Sequence, residues 1–562
     1  MEKLNGSQMI IEALHQEGVE VVFGYPGGAA LNIYDETYKQ TYFKHILVRH
    51  EQAATMAADG YARASGKVGV AIVTSGPGFT NAITGLATAY ADSIPIVLIS
   101  GQVAGSLIGT DAFQEIDAVG ISRPCVKHNF LVKTVEELPM VLKQAFYIAR
   151  SGRPGPVHID VPKDVTAKLG EFVYPNEIKM QTYRPTYKGN AKQIKKVAEL
   201  IMAAERPILY IGGGVILSEA SDEVRELAHI TQIPVVETLM ALGVMRSDDE
   251  LNLGLVGMHG SYAANMALSE TDLIICLGAR FDDRVTGKLE EFAKNTKIIH
   301  VDIDPSSISK IVNAHFPIVG DVKSVLAELN PRLKHEAEPA NYNAWREQIK
   351  IYKEIHPLGY KDSDEILKPQ WVVQKTGEIA SDDAIIVTDV GQHQMWVAQF
   401  YPFNRPRTLL TSGGLGTMGY GLPAAMGAKA FAGEKRQVIN FTGDGSILMN
   451  IQELMTLSEN NLGVVNIILN NNFLGMVRQW QSMFYGARFS STDLSKQPDF
   501  VKLVESFGGL GFSVSTKAEF ESALKTALES NKVCFIEVKV DRFENVFPMV
   551  PAGGALYNMI FE

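Results

Sequence analysis

Residues 443–472 read GDGSILMNIQELMTLSENNLGVVNIILNNN, and this stretch decides the fold class. The apolar run before it, Gln437–Phe441, predicts a buried strand, and a second run, Val464–Leu469, predicts another. Between them, Ile451–Leu462 has the spacing of an amphipathic helix. A strand–helix–strand unit favours a parallel pair of strands joined by a crossover helix.

Polar residues follow both predicted strands of this unit. Asp444 and Asn471 are expected at the carboxyl ends of neighbouring strands, where open α/β sheets bind ligands. Gly443 and Gly445 allow close backbone approach, and the free N–H groups that begin at Ser446 can hold an anion. A carboxylate, a carboxamide and phosphate oxygens together form a site suited to Mg²⁺. An Asp-Gly turn or an asparagine-rich loop is ordinary alone, whereas the pair across one βαβ unit is specific.

This GDG…NN pattern resembles the signature of thiamine-diphosphate-dependent enzymes. At 562 residues the chain is too long for one core, and about three domains are expected. The resemblance implies three doubly wound, mostly parallel α/β domains. We predict a pyrimidine-binding domain over residues 1–165, a central domain over 190–335, a diphosphate-binding domain over 368–540 and a lid or tail over 541–562.

Composition restricts the class of protein. Hydrophobic residues make up 46% of the chain and charged residues 20%, as in ordinary globular proteins. The net charge of −11 argues against a nucleic-acid surface, and no apolar run has the length of a membrane span. Cys125, Cys276 and Cys534 are widely spaced, which favours a reducing compartment. The N-terminal residues predict a folded helix rather than a targeting signal, so a cytoplasmic location is expected.

The first domain alternates strands with helices. Apolar runs predict strands at Val21–Phe23, His45–Val48, Gly69–Val73, Ile94–Ile99 and Val157–Asp160. Such alternation is typical of a doubly wound sheet. Several strands end in glycine-rich turns, but none has the GxGxxG spacing of a dinucleotide loop.

Glu51 is the candidate catalytic acid of this domain. A glutamate at a helix N-terminus is often only a solvated acid that the helix dipole favours. The string RHEQAA, Arg49–Ala54, is however similar to the family's activating-glutamate segment. By that resemblance Glu51 hydrogen-bonds the aminopyrimidine ring of the cofactor, and the ring then removes the thiazolium C2 proton.

Other roles in the first domain are implied by the same resemblance. In GTDAFQE, Gly109–Glu115, it implies that Gln114 lies near the reacting C2 atom and that Phe113 lines the substrate channel. A polar loop with one aromatic anchor is the alternative. Lys163 would face the substrate entrance, although a solvated lysine fits equally. The residues that would line the pyrimidine pocket are Tyr25, Pro26, Pro77 and Asn81.

The middle domain follows a predicted linker, Thr166–Asn190. Predicted strands here are Ile208–Ile211, which ends in a triple glycine, Leu273–Leu277 and Lys297–Asp302. An acid at a strand end binds ribose hydroxyls in many nucleotide sites, or it caps the next helix. Asp302 leaves both alternatives open.

The string RFDDRVTG, which begins at Arg280, is similar to the large, catalytic subunit of the acetohydroxyacid synthase (acetolactate synthase) family. That resemblance implies a structural FAD in this domain. Arg284 would receive the carboxylate of a second 2-oxo acid, or would form a surface ion pair with Asp282 or Asp283. The residues implied to contact FAD are Arg153, Gly212, Gly213, Gly214, Thr238, Leu239, Met258, His259, Gly278, Arg280, Asp302 and Asp321.

The third domain follows a second predicted linker, Pro331–Pro369, with one helix near Trp345–Ile355. The small residues of Thr411–Ala430 allow close approach of a ligand or a partner subunit. By resemblance, Met476 supports the bent cofactor, Trp480 shapes the second-substrate pocket and the Phe473 carbonyl binds Mg²⁺; ordinary core packing is the alternative for Met476 and Trp480. Residues implied to hold the diphosphate and pyrimidine are Gln392, His393, Met418, Gly443, Gly445 and Ser446.

The function implied is a carboligase. Pyruvate would be decarboxylated on thiamine diphosphate, and its two-carbon unit joined to pyruvate or 2-oxobutanoate, at the first common step of branched-chain amino-acid synthesis. A flavin-dependent pyruvate oxidase and a non-catalytic nucleotide-binding subunit are the alternatives. The family implies a homodimer or a dimer of dimers, and a small regulatory subunit is a possible partner.

Overall fold

The computed structural model describes residues 3–336 and 341–562. Three six-stranded sheets follow one another along the chain, and every strand pair within them is parallel. The predicted fold class is therefore confirmed.

The first sheet has the order β3-β2-β4-β5-β7-β6, and a short antiparallel pair, β1 with β8, lies beside it. The predicted linker Thr166–Asn190 thus begins with the end of a helix, Lys163–Ala167, and a strand, Leu169–Glu171. The elements are β1 Lys3–Asn5, α1 Gly6–Gln16, β2 Val21–Gly24, α2 Leu31–Lys39, β3 Lys44–Leu47, α3 Glu51–Ser65, β4 Gly69–Val73, α4 Pro77–Asp92, β5 Ile96–Gln102, α5 Ala118–Ser122, β6 His128–Leu131, α6 Leu138–Arg150, β7 Val157–Pro162, α7 Lys163–Ala167 and β8 Leu169–Glu171.

The middle sheet has the order β11-β10-β9-β12-β13-β14, which is the 3-2-1-4-5-6 order of dinucleotide-binding sheets. The elements are α8 Ala191–Ala203, β9 Pro207–Ile211, α9 Gly213–Leu217, α10 Ser221–Thr231, β10 Val235–Glu237, β11 Asn252–Leu255, α11 Tyr262–Glu270, β12 Leu273–Leu277, α12 Asp283–Thr286, β13 Lys297–Asp302, β14 Phe316–Val319, α13 Val322–Glu336 and α14 Asn343–Ile355.

The second predicted linker contains the one helix that the sequence predicted there, and its first residues belong to the end of α13. Helix α14 buries Trp345, Ile349 and Tyr352 in the core of the middle sheet, and the Trp345 indole donates to the Pro207 carbonyl at 3.1 Å. This part of the segment is therefore packed structure rather than a linker. Residues 337–340 lie outside the described residues.

The third sheet has the order β16-β15-β17-β18-β20-β19. Counted along the chain, this is 2-1-3-4-6-5, the order of the first sheet as well, so the predicted repeat of the first architecture is confirmed. The elements are α15 Pro369–Ile379, β15 Ile385–Thr388, α16 Gln392–Phe400, β16 Leu409–Leu410, α17 Gly421–Ala432, β17 Val438–Gly443, α18 Glu453–Glu459, β18 Val465–Asn470, α19 Gly475–Phe484, α20 Phe500–Ser506, β19 Leu510–Val514, α21 Lys517–Ser530 and β20 Cys534–Lys539.

Helices α3 and α17 pack the first sheet against the third. A Cβ at Gly427 would overlap the Ala57 carbonyl, and one at Gly60 would overlap the Ala424 backbone. The small residues of α17 therefore admit another helix of the same chain, which differs from the expected ligand or partner subunit. Beside them, the Tyr420 hydroxyl donates to the buried Asp59 carboxylate at 2.5 Å.

The C-terminal tail returns to the middle domain. The Val550 N–H donates to the Met258 carbonyl at 2.8 Å, and the Lys288 N–H donates to the Gly554 carbonyl at 2.9 Å. Val550 and Leu556 are buried in the middle core. No helix in residues 3–336 and 341–562 is both long enough and apolar enough to cross a membrane.

Candidate active site

A narrow cleft of about 60 Å³ opens where the third sheet reverses its strand order, between β15 and β17. Doubly wound sheets bind ligands at this point because the loops diverge from it. Ten of the residues predicted from the sequence line the cleft: Gln392, His393, Met418, Gly443, Asp444, Gly445, Ser446, Asn471, Phe473 and Met476.

Among the residues that the structure describes, Asp444 is the only carboxylate that lines this cleft. It is 2% exposed, accepts a hydrogen bond from the Gln497 amide, and burial raises its pKa to about 7. The Asn471 amide oxygen accepts from the Phe473 N–H at 3.0 Å. No group of three or more His, Cys, Asp or Glu side chains within the described chain, at this cleft or away from it, could hold a metal ion. A cation here would therefore use one carboxylate with amide, carbonyl and phosphate oxygens, a donor set that fits Mg²⁺.

His393 presents an unsatisfied polar atom to the same cleft. Its Nε2 is buried and has no hydrogen-bond partner within the described chain. Burial lowers the pKa of His393 to about 3, so the ring is neutral at pH 7. A bound phosphate oxygen would satisfy such a nitrogen in its N–H form. Gln392 differs, because its amide nitrogen already donates to the Gln479 side chain and to the Glu544 carbonyl, both at 2.9 Å.

A larger cavity of about 680 Å³ lies between the three domains. This volume is in the range of cofactor pockets. All twelve predicted FAD contacts line it: Arg153, Gly212, Gly213, Gly214, Thr238, Leu239, Met258, His259, Gly278, Arg280, Asp302 and Asp321. Met418 and Met476 line both this cavity and the narrow cleft, so the two are contiguous.

The glycines of the large cavity lie where the middle sheet reverses its strand order, between β9 and β12. A Cβ at Gly214 would come within 2.7 Å of the Gly278 Cα, and one at Gly212 would overlap the Gly278 carbonyl. The contact of two strand-end turns therefore accounts for these glycines. A buried His259 Nδ1 without a hydrogen-bond partner in the described chain is the polar feature that fits a ligand.

Asp302 had two possible roles, and the structure separates them. Its carboxylate accepts the Asp304 N–H at 2.8 Å, and turns rather than a helix follow β13. The helix-capping alternative is therefore wrong. Asp302 also lines the large cavity.

Arg284 and Trp480 line the large cavity as well. The Arg284 guanidinium lies 3.6 Å from the Asp283 carboxylate, and both side chains are mostly exposed. Exposed pairs of this kind contribute little stability, so the guanidinium can exchange this partner for another carboxylate. The Trp480 ring packs against the Phe484 ring, with the ring centroids 5.4 Å apart.

Glu51 belongs to a separate group on the first domain and lines neither cavity. It is the first residue of α3, is 9% exposed, and accepts from the Asn81 amide at 2.9 Å. A Cβ at Gly78 would lie 3.3 Å from the Glu51 carboxylate, so this glycine keeps space beside it. Tyr25, Pro26 and Pro77 are exposed near the switch point of the first sheet.

The loop that carries Gln114 lies next to this group. A Cβ at Gly76 would lie 2.9 Å from the Gln114 carbonyl, and Gln114 itself has a φ of +62°. The Glu115 carboxylate accepts N–H groups of Thr110 and Ala112, which closes the loop. Phe113 is 88% exposed, and Lys163 begins the short helix α7 at the surface.

Sequence reasoning missed some residues at both cavities. Gln497, in a weakly patterned loop, binds Asp444, and no local signal marks it. Arg63 and Asp92 line the large cavity and form an ion pair at 2.8 Å. Arg407 joins three domains there, since it donates to the carbonyls of Arg63 and Ile216.

Three domain families match the chain in sequence. Residues 4–121 match the thiamine pyrophosphate enzyme N-terminal TPP binding domain, residues 194–329 the central domain, and residues 389–538 the C-terminal TPP binding domain. Thiamine pyrophosphate is another name for thiamine diphosphate.

Full-length relatives agree. The chain is 50% identical to "Acetolactate synthase large subunit" of Buchnera aphidicola subsp. Schizaphis graminum, over 100% of this chain and 99% of the relative. It is 48% identical to "Acetolactate synthase isozyme 3 large subunit" of Escherichia coli K12, with the same coverage. The chain belongs to the acetolactate synthase large-subunit family. The resemblance inferred from the GDG…NN and RFDDRVTG segments is therefore confirmed, and the chain is a thiamine-diphosphate enzyme.

"Probable acetolactate synthase large subunit" of Methanocaldococcus jannaschii is 49% identical over 99% of this chain and 95% of the relative. Acetolactate synthase large subunits from distant organisms thus match the chain over almost its whole length.

Proposed function

We propose that the chain decarboxylates pyruvate and joins the remaining two-carbon unit to a second 2-oxo acid. The products are 2-acetolactate from pyruvate and 2-aceto-2-hydroxybutanoate from 2-oxobutanoate. The observation that carries the proposal is the contiguity of the narrow cleft with the large cavity, at Met418 and Met476. When bound, thiamine diphosphate supplies a thiazolium ring that accepts the electrons released by decarboxylation.

The chain's own residues would hold this cofactor in the narrow cleft. Asp444, Asn471 and the Phe473 carbonyl would bind Mg²⁺, which neutralises the diphosphate. The His393 Nε2, in its N–H form, would donate to a phosphate oxygen. Met476, which lines both cavities, would support the cofactor where they meet.

Glu51 would hold a proton at a ring nitrogen of the aminopyrimidine, and Asn81 would orient its carboxylate. Gln114 would lie beside the reacting atom. Because the Glu51 group lines neither cavity of its own chain, we propose that a second copy supplies it, in a homodimer or a dimer of dimers. Exposed apolar side chains near both groups, Tyr25, Leu448 and Met449, support such an interface.

The second substrate would bind in the large cavity. Arg284 would receive its carboxylate through two parallel hydrogen bonds, and Trp480 would contact its apolar end. Phe113 and Lys163 would lie at the channel entrance. FAD would occupy the cavity beside His259 and Asp302 as a structural group, because an acetolactate synthase reaction has no net oxidation.

The test compares Glu51→Gln with wild type and with Glu36→Gln, a variant of a helix α2 glutamate outside both cavities. Glu51→Gln is expected to bind thiamine diphosphate with Mg²⁺ and to lose most acetolactate formation, whereas Glu36→Gln keeps it. Full turnover by Glu51→Gln contradicts the assignment. Anaerobic incubation with pyruvate separates the alternatives: the proposed enzyme forms acetolactate while its flavin stays oxidised, and a pyruvate oxidase bleaches the flavin.

The names of the relatives support one further partner. Because they are called large subunits, we propose that this chain also binds a small regulatory subunit, and we place the complex in the cytoplasm. Size-exclusion chromatography of the co-expressed chains tests this association. Separate elution at micromolar concentrations contradicts it.

A further inference from the structure

A buried carboxylate of the third domain reaches the backbone just before Glu51. Glu453 is the first residue of α18 and is fully buried. Both of its oxygens accept the Arg49 N–H, at 3.0 and 3.2 Å, across a separation of 404 residues. The Thr456 hydroxyl lies 2.8 Å from one of these oxygens and 3.3 Å from the Leu47 carbonyl.

The position of Arg49 explains why such a contact matters. Strand β3 is at the edge of the first sheet, so it has one neighbouring strand, β2. The last backbone bond between them joins the Val48 N–H to the Gly24 carbonyl at 3.2 Å. Beyond that bond the chain leaves the sheet through Arg49 and His50 and enters α3 at Glu51. An edge strand offers no second neighbour to hold this exit, and Glu453 takes that place.

Burial of this carboxylate is costly unless donors compensate it. Burial raises the pKa of Glu453 to about 7, against the donors Thr456 and Arg49. A second contact between the two domains lies at the surface, where the Arg49 guanidinium forms an ion pair with Glu459 at 2.7 Å. A partly exposed ion pair contributes little stability and acts on the side chain, so it does not fix the Arg49 backbone as the buried contact does.

We propose that Glu453 is a positioning residue for Glu51. It fixes the backbone of Arg49, so that α3 begins at the place and angle from which the Glu51 carboxylate meets Asn81 and the cofactor ring. The inference rests on the proposed role of Glu51. In the proposed dimer Glu453 also connects two active sites, because β17 and the residues after Asp444 lead directly into this residue.

The test uses Glu453→Gln, with Glu459→Gln as the matched control. In the variant one acceptor becomes an NH₂ donor that faces the Arg49 N–H, whereas the control removes only the exposed ion pair. In the cofactor-free protein, Glu453→Gln is expected to exchange the Arg49 amide hydrogen at least about tenfold faster. In the loaded enzyme, exchange of the thiamine C2 proton is expected to slow by about tenfold or more, because small misplacements of a catalytic group are costly.

Cofactor affinity distinguishes positioning from general damage. Glu453 lines neither cavity, so the affinity for thiamine diphosphate with Mg²⁺ is expected to change by less than about twofold. If the Arg49 amide exchanges faster but the C2 proton exchanges at the wild-type rate, Glu453 only stabilises the contact between the domains, and the proposal is overturned. Unchanged exchange at both positions also overturns it. If Glu453→Gln fails to fold, Thr456→Val is used instead. It is expected to speed exchange of the Arg49 amide and to slow exchange of the C2 proton, each by about threefold. Normal C2 exchange in Glu51→Gln would instead contradict the proposed function.

Discussion

Removal of the Asn81 side chain tests the Glu51 site most directly. Asn81 donates to the Glu51 carboxylate at 2.9 Å, and Glu51 is nearly buried whereas Asn81 is half-buried. A hydrogen bond to a charged group contributes about 1.5–3 kcal/mol. Because Asn81 is partly solvated, the lower end applies, and about 1.5 kcal/mol corresponds to about a tenfold change in rate. Asn81→Ala is therefore expected to lower kcat for acetolactate formation about tenfold.

The assay is initial-rate acetolactate formation at saturating thiamine diphosphate and Mg²⁺. Thr80→Ala is the matched control, because its exposed hydroxyl donates only to the Pro77 carbonyl of the same helix. If Asn81 acts through Glu51, adding Asn81→Ala to Glu51→Gln costs little more, since the two changes remove one interaction. Unchanged kcat in Asn81→Ala, or full additivity with Glu51→Gln, refutes the reasoning.

Three further perturbations test the fold and the metal site. Burial raises the pKa of Glu237 to about 8, so the folded chain still holds this proton at pH values where the unfolded chain has released it. The wild type therefore loses stability as the pH rises, and denaturation from pH 5 to 8.5 should show the free energy of unfolding of Glu237→Gln rising by up to about 4 kcal/mol relative to wild type. No such rise contradicts the burial penalty. Gly427→Ala should lower the unfolding free energy by about 3 kcal/mol, because the added Cβ overlaps the Ala57 carbonyl. Gly359→Ala is the control, since a Cβ there meets open space. Equal stability of the two variants contradicts the tight contact between the helices. Asp444→Asn should weaken thiamine diphosphate binding about a hundredfold or more in calorimetry and abolish its Mg²⁺ dependence, whereas retained dependence places the metal elsewhere.

Apolar runs predicted central strands well. Strands β4, β12 and β13 begin and end where the sequence placed them. Strands β4 and β12 are continuously apolar, as is typical of parallel strands covered on both faces. The helix after Asp444 is shorter than predicted: Ile447–Asn450 is a 3-10 helix and α18 spans only Glu453–Glu459. The amphipathic spacing of Ile451–Leu462 located α18 but not its ends, and it gave no sign of the 3-10 helix before it.

Long-range contacts account for the other differences. Helix α14 follows a weakly patterned, charged segment, and its apolar stripe became recognisable as core only against the middle sheet. The small residues of α17 indicated close approach correctly, but the structure identified α3 as the neighbour. Gln497 and Glu453 are polar residues without a motif, and their partners lie far away along the chain.

The sequence alone determined the α/β class, the paired Asp444 and Asn471, and the family, because each depends on local periodicity or on a short motif. Only the tertiary structure decided that the narrow cleft joins the large cavity, that Glu51 lies outside both, and that Glu453 holds the backbone beside it. The physical reason is that strand order and helix packing bring distant residues together through buried contacts. Local patterns in the sequence specify which faces are apolar, but not which other face will cover them.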